Sequence, residues 1–239
     1  NGGDLNARDC NDNTALHLAA RNGHLSVVQF LAEKGGDLNA RDRSDETALH
    51  FAARNGHLSV VQFLAEKGGD LNARDRSDRT ALHFAARNGH LSVVQFLAEK
   101  GGDLNARDCN DNTALHLAAR NGHLSVVQFL AEKGGDLNAR DCNDNTALHL
   151  AARNGHLSVV QFLAENGGDL NARDCDGSTP MHWAGRSGHW RTLEALAASG
   201  ADVDPVCNGQ HASPRRSFKW EASGGGRPDW PRGVHQQEE

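Results

Sequence analysis

The residues in this chain best able to do chemistry are its 14 histidines and five cysteines, set among 31 Asp and Glu. Imidazole, thiolate and carboxylate in such numbers suggest a metal centre, a redox dithiol or an acid–base pair, provided that several of them converge on one point. Their spacing decides whether they can. Twelve of the histidines fall into two series with a 33-residue period, His17, His50, His83, His116, His149, His182 and His24, His57, His90, His123, His156, His189. Only His211 and His235 stand outside them, without a ligand cluster at metal spacing. Cys10, Cys109, Cys142 and Cys175 share one position of the same period, and no Cys-x-x-Cys pair exists.

A group copied along a chain at a fixed interval is carried away from its copies by each unit of structure, whereas a metal needs ligands that converge. The histidines therefore read as structural groups that bond to threonine hydroxyls, loop backbone or the next unit. Thiols a whole unit apart exceed the roughly 7 Å Cα separation that a disulfide tolerates and read as free. No Gly-x-Ser-x-Gly, phosphate-binding Gly-x-x-x-x-Gly-Lys or His-Glu-x-x-His motif is present. The carboxylates recur in each unit, which suits loop capping better than an active site. No catalytic residue, metal or cofactor is implied.

The elements that position these groups follow from the repeat itself. The octapeptide Gly2–Asp9 recurs from Gly35, Gly68, Gly101, Gly134 and Gly167, always at the same 33-residue step. This sets units at 9–41, 42–74, 75–107, 108–140, 141–173 and a diverged 174–206, with 1–8 as the end of a truncated preceding repeat and 207–239 as a tail. Thr14 suits a helix N-cap, its hydroxyl accepting from a backbone N–H near His17. A first helix is predicted from Ala15 to about Arg21, stopped by Asn22-Gly23. A second runs from about His24 to Lys34, polar at Ser26, Gln29 and Glu33 and apolar over most of its remaining surface. That helix cannot be buried within its own unit, so neighbouring copies must sandwich it.

These residues resemble the ankyrin repeat family, whose Thr-Pro-Leu-His-x-Ala signature, set in a 33-residue unit, appears as Thr14-Ala15-Leu16-His17-Leu18-Ala19 and, with the proline kept, as Thr179-Pro180-Met181-His182-Trp183-Ala184. Gly23-His24, Val27-Val28-Gln29-Phe30-Leu31 and Asp37-Leu38-Asn39-Ala40 match further family segments. The resemblance implies an all-α solenoid of helix-turn-helix units with hairpin-like loops. Trp183, Trp190, Ala195 and the polar Arg191, Glu194 and Ser199 give the sixth unit the look of a C-terminal cap. Residues 207–239, with Gly224-Gly225-Gly226, Pro228 and Pro231, are expected to be disordered. In that tail Ser213-Pro214-Arg215-Arg216 reads as linker rather than as a phosphorylation motif.

The family's contact positions are loop tips and the ends of first helices on a concave surface. Carried over, they fall on Cys10, Asn11, Asn13, Arg21, Asn22 and Arg41 in the first unit. Only the second and third units individualise that surface, through Arg43, Ser44, Glu46, Arg54, Arg76, Ser77, Arg79 and Arg87, and the arginine position continues as Arg120 and Arg153. Either these guanidinium groups are solvated and answered by nearby Asp, or Arg43, Arg76 and Arg79 join Arg54 and Arg87 in a basic patch for an acidic or phosphorylated segment. The resemblance also offers Asn39, Asn72, Asn105, Asn138 and Asn171 as asparaginyl-hydroxylation acceptors, against a role in bracing the hairpins.

The function expected is a non-catalytic protein–protein interaction scaffold or adaptor, a monomer. The alternative is the recognition module of a larger chain, such as a ubiquitin-ligase adaptor, kinase or channel. A net charge of −6 disfavours nucleic-acid binding. No apolar run is long enough for membrane insertion. An odd cysteine count without Asn-x-Ser/Thr sequons favours a reducing intracellular, cytoplasmic setting.

Overall fold

The computed structural model describes residues 4–203 and the backbone of Val206–Cys207 and Gln210–His211. Among the described residues twelve helices follow in six pairs. The first helix of each pair is α1 (Ala15–Arg21), α3 (Ala48–Arg54), α5 (Ala81–Arg87), α7 (Ala114–Arg120), α9 (Ala147–Arg153) or α11 (Pro180–Ser187). The second is α2 (Leu25–Glu33), α4 (Leu58–Glu66), α6 (Leu91–Glu99), α8 (Leu124–Glu132), α10 (Leu157–Glu165) or α12 (Trp190–Ala198). First helices pack on first helices in series, and second on second. Val206–Cys207 pairs antiparallel with Gln210–His211, a short β ladder inside the stretch read as a disordered tail. The rest of that tail reading, the Ser213–Arg216 segment included, lies outside the described residues.

Each second helix starts one residue later than the sequence predicts, with His24 and its copies as N-cap and Leu25 as the first helical residue. In four of the units the ring of this histidine also ties back to the unit before. His57 Nε2 donates to the Arg21 carbonyl at 3.0 Å, and His90, His123 and His156 repeat the bond to Arg54, Arg87 and Arg120.

The Thr–His link of the first helix is a reciprocal capping box, in which the threonine side chain faces the histidine backbone N–H as the sequence predicts and the histidine ring answers in return. Backbone N–H of Thr14 donates to His17 Nδ1 at 3.0 Å and the Thr14 hydroxyl lies 2.9 Å from the same nitrogen, a pattern kept in all six units. The predicted bond from a backbone N–H to the threonine hydroxyl is found between His116 and Thr113, at 3.5 Å. Because Nδ1 accepts, Nε2 carries the proton. His17 donates it to the carbonyls of Ala40 and Glu46 at 3.0 and 3.1 Å, tying one unit to the next.

The core is one continuous file rather than six separate ones. Ala52, Ala53, Ala85, Ala86, Ala118, Ala119, Ala151 and Ala152 are fully buried and let the first helices approach closely, while Val60, Val93, Val126, Val159 and the leucines Leu64, Leu97, Leu130 and Leu163 fill the space between the rows. At one end of the file Leu18, Val27 and Phe30 are 42%, 45% and 55% exposed, although Phe51 and Val60, the counterparts of the first two, are buried. A unit buries this face only against a neighbour.

Each unit opens with an aspartate whose carboxylate accepts from the backbone two and four residues on, as Asp9 does from Asn11 and Asn13 at 2.9 and 2.8 Å. That Asx turn drives the fourth residue of the unit into the left-handed region. Asp12, Asp45, Asp78, Asp111 and Asp144 have φ of 58 to 62°, where the sixth unit has Gly177 at 76°. The left-handed region costs an L-residue roughly 1 kcal/mol, somewhat less for Asp. Asp111→Gly is therefore expected to raise stability by about 0.5 kcal/mol, after the entropy glycine loses on folding. A urea midpoint shifted upward with an unchanged slope checks it; a downward shift refutes it.

Candidate protein-binding surface

The second and third units hold most of the residues singled out by sequence. Arg43 is exposed with its Nε 4.0 Å from Asp12 Oδ2, and Arg76 repeats the contact to Asp45 Oδ2 at 3.4 Å. Arg79 lies against Asp75 through Nη2 at 2.7 Å and Nε at 2.9 Å. The Glu46 carboxylate, expected at the surface, is buried. It pairs with Arg54 and comes within 4.0 Å of Arg79 Nη2. The correction has a local cause: the Glu46 backbone is fixed by Asp42 from its N–H and by His17 at its carbonyl, which turns the side chain in beneath α3. Ser44 is exposed and Ser77 half-buried. Their carbonyls receive the backbone N–H of Arg76 and Cys109, a ladder running from one loop tip to the next.

Aromatic rings complete this cluster. The Arg54 guanidinium carbon is 4.1 Å from the centre of the Phe84 ring and 5.6 Å from that of Phe51, and Arg79 is 4.7 Å from Phe84. Of the five arginines expected to form a basic patch, Arg43, Arg54, Arg76 and Arg79 are thus each answered by a carboxylate of the same chain. Arg87 is not.

The row of arginines at the ends of the first helices behaves differently beyond that point. Arg87, Arg120, Arg153 and Arg186 are exposed, in the last turns of α5, α7, α9 and α11, and among the described residues none of the four makes an ion pair. The reason is one residue. The fifth position of the unit is Glu46 in the second repeat, where its carboxylate reaches Arg54, but Arg79, Asn112, Asn145 and Ser178 in the later ones.

Trp183 is a residue that the sequence placed only in a cap. It occupies the position of Leu18, Phe51, Phe84, Leu117 and Leu150, which aligning the units by register would have shown. Its Nε1 donates to Asp174 Oδ2 at 2.9 Å, and Arg153 and Arg186 put their guanidinium carbons 4.8 and 5.0 Å from the ring centre. The indole is half-buried, held in place and flanked by cations.

Other candidates are engaged in bracing. Arg41 donates from Nη1 to the Arg74 carbonyl at 2.7 Å, and Arg8, Arg74, Arg107 and Arg140 do the same to the arginine one unit on. Arg41, Arg74 and Arg107 are exposed, each with Nη1 held on the carbonyl one unit on. Asn39 accepts from the Asp70 N–H at 2.9 Å and donates to the Gly68 carbonyl at 3.3 Å. Asn72, Asn105, Asn138 and Asn171 accept in the same way from Asp103, Asp136, Asp169 and Asp202. Bracing contacts are present at all five, and their hydroxylation rests on the resemblance alone.

Cys10, Cys109, Cys142 and Cys175 are exposed free thiols. Desolvation and then adjacent carboxylates, Asp141 and Asp111 for Cys142 and Asp176 and Asp174 for Cys175, push the latter two thiols up, which lowers their thiolate fraction. Burial lowers the affinity of His17, His50, His83, His116 and His149 for a proton, His50 to about 4. Among the described residues no three His, Cys, Asp or Glu are grouped to hold a metal, and no helix is long and apolar enough to cross a membrane.

Stacked helix pairs, a Thr–His link in each unit and hairpins braced by asparagine are what a 33-residue repeat array requires. The ankyrin repeats family model matches three times, over residues 1–75, 70–141 and 133–206, and no curated protein matches the chain. With most of its length so matched, the chain belongs to the ankyrin repeat family.

Proposed function

We propose that this chain is an interaction scaffold that holds an acidic or phosphorylated segment of a partner protein across the ends of the first helices, with Arg87, Arg120 and Arg153 as its main contacts. Ankyrin repeats are non-enzymatic protein-interaction modules, which supplies the general role. The observation that carries the finer reading is the exposed, unpaired state of these three guanidinium groups, beside a second and third unit in which Arg43, Arg54, Arg76 and Arg79 are all answered. Planar, weakly hydrated guanidinium is the side chain best suited to carboxylate and phosphate. Arg43, Arg54, Arg76 and Arg79 contribute less, because a partner must first displace Asp12, Glu46, Asp45 or Asp75.

The test is binding of a fluorescein-labelled polyglutamate peptide. Exposed ion pairs contribute about 0.5 kcal/mol each, and reversal adds repulsion of similar size. Arg120→Glu with Arg153→Glu is therefore expected to weaken binding about thirtyfold and to flatten its salt dependence. The same reversal at Arg43 and Arg76 should have the smaller effect. Unchanged binding on reversal at 120 and 153 would sink the reading. Glu46→Asn, which installs the residue found at this place in the fourth and fifth units, frees Arg54 and should tighten binding about twofold while costing about 1 kcal/mol of stability.

A further inference from the structure

Six Asn-Gly pairs lie within the described residues, five that begin at Asn22, Asn55, Asn88, Asn121 and Asn154 and a sixth at Asn166. Such a pair is open to cyclisation, because glycine has no side chain to shield its nitrogen. That nitrogen attacks the asparagine Cγ, a C–N bond forms, and the side-chain amide leaves as ammonia with the proton given up by the glycine N–H. Water then opens the succinimide to aspartate or isoaspartate, so no other reactant is needed. Ring closure requires an asparagine ψ of about −120°, outside the well-populated regions, and a glycine N–H free to lose its proton.

All six asparagines follow the last residue of a helix, with ψ of 1 to 4° at the first five and 19° at Asn166. Each side-chain amide donates to the carbonyl four residues back, at 2.7 to 3.0 Å, so that tether does not distinguish them. The glycines do. Gly23, Gly56, Gly89, Gly122 and Gly155 each donate from N–H to the carbonyl three residues back at 3.3 Å. Each is also overlain by the histidine ring of the next unit, whose Nδ1 is 2.6 Å from where a Cβ would stand. Gly167 is exposed, nothing lies within 4 Å of its Cβ position, and among the described residues its N–H has no partner. In the first four units a lysine stands in the place of Asn166, and the glycine after it donates at 3.1 to 3.3 Å.

We infer that Asn166 is a deamidation site of the folded protein and that stacking closes the other five. Rotation about ψ at Asn166 must break the amide bond to Phe162. At Asn88 the same rotation must also break the bond from Gly89 to Ala86 and move a His123 ring held on the Arg87 carbonyl at 3.0 Å. The product carries a carboxylate at the C-terminal end of α10, the end of a helix that disfavours negative charge. Isoaspartate also lengthens the main chain by one atom at the start of the hairpin that leads into the sixth unit.

Incubation of the full chain in mildly alkaline buffer, with aliquots digested and mapped by mass spectrometry, tests this. Asn166 should convert about tenfold faster than any of the other five, since there a further hydrogen bond and the ring must yield. In urea all six should convert at similar rates. Asn166→Lys, the residue of the first four units, should delete the leading product. His123→Ala should speed Asn88 about threefold relative to the other stacked sites and leave Asn166 unchanged. Circular dichroism confirms that each variant is folded. Equal rates at all six in the folded chain, or no conversion at Asn166 where urea produces it, overturns the assignment. An equal rise at all five stacked sites in His123→Ala overturns closure by the ring. Asn1-Gly2 and Asn208-Gly209 lie outside the described residues, and their peptides are scored apart.

Discussion

Mild acid is expected to unfold this protein, with most of the loss between pH 6.5 and about 4. The cause is the row of first-helix histidines. His17, His50, His83, His116 and His149 are buried, and burial holds all five below the ordinary imidazole value, His50 at about 4. The hydrogen bonds require the same protonation state. Nδ1 accepts from a threonine N–H, so a second ring proton would point at a donor.

The folded state thus binds protons more weakly than the unfolded state. The stability these groups contribute is complete above the unfolded value of 6.5 and declines as pH falls toward the folded one. For His50 alone the loss is about 2 kcal/mol by pH 5 and about 3 kcal/mol at the lower limit, since each unit of pKa is worth about 1.4 kcal/mol. The other four act in the same direction, and the units fold together, so the losses accumulate in one array. Asp9 adds nothing in this window, since backbone N–H groups hold it below 3.8 and it gives up its share only at lower pH. Urea titrations at pH 7.5, 6.5, 5.5 and 4.5, followed by far-ultraviolet circular dichroism, measure the effect. His50→Asn should lower stability at pH 7.5 and reduce its slope against pH by at most about 1.4 kcal/mol per pH unit. Midpoints that stay constant from pH 7.5 to 5 would contradict the assignment.

Gly89→Ala is expected to be among the most damaging additions of a single methyl group, at about 3 kcal/mol. Gly89 has φ of +75°, and a Cβ there would lie 2.6, 2.8 and 2.9 Å from Nδ1, Cε1 and Cγ of the His123 ring. That ring cannot step aside cheaply, because His123 caps α8 and donates to the Arg87 carbonyl at 3.0 Å. The substitution therefore combines backbone strain of roughly 1 kcal/mol with a collision at the joint between units. Two internal controls carry the strain without the collision. At Gly101, with φ of +94°, and Gly188, with +75°, a Cβ would meet nothing within 4 Å. Their alanine variants should cost about 1 kcal/mol. Adding His123→Ala to Gly89→Ala should return part of the loss, which a double-mutant cycle would show as coupling. Equal effects at Gly89 and Gly101 would rule out the ring as the cause.

Several features were legible in the sequence because they repeat. A 33-residue period fixes the number of helix pairs, and within a unit the Asn-Gly stop after Arg21 and the apolar run after His24 place both helices to within a residue. The histidines were readable as structural because their register excluded convergence. Burial was less so. Phe30 has the same neighbours in sequence as Phe63 and Phe129, yet it is 55% exposed where Phe129 is buried, because a unit's apolar face is covered only by the unit beside it. The reciprocal half of the Thr14–His17 capping box, in which Nδ1 accepts from the threonine N–H, could not be read either, since it depends on which carbonyls reach Nε2 from the following unit.

Residue order alone was enough to define the repeat, the helices, the family to which they conform and a surface rich in arginine. Stacking was needed to decide which of those arginines are available. Arg54 and Arg87 are the same residue at the same position of neighbouring units, with nearly the same flanking residues. One is held by Glu46 from eight residues away and pressed on Phe84 from the next unit, and the other faces solvent unpaired. Ion pairs such as Arg76 with Asp45 span 31 residues and exist because stacking brings one loop tip against the next. Composition counts charges, but the free energy of a charge depends on what lies within a few ångströms, and that distance is set by packing.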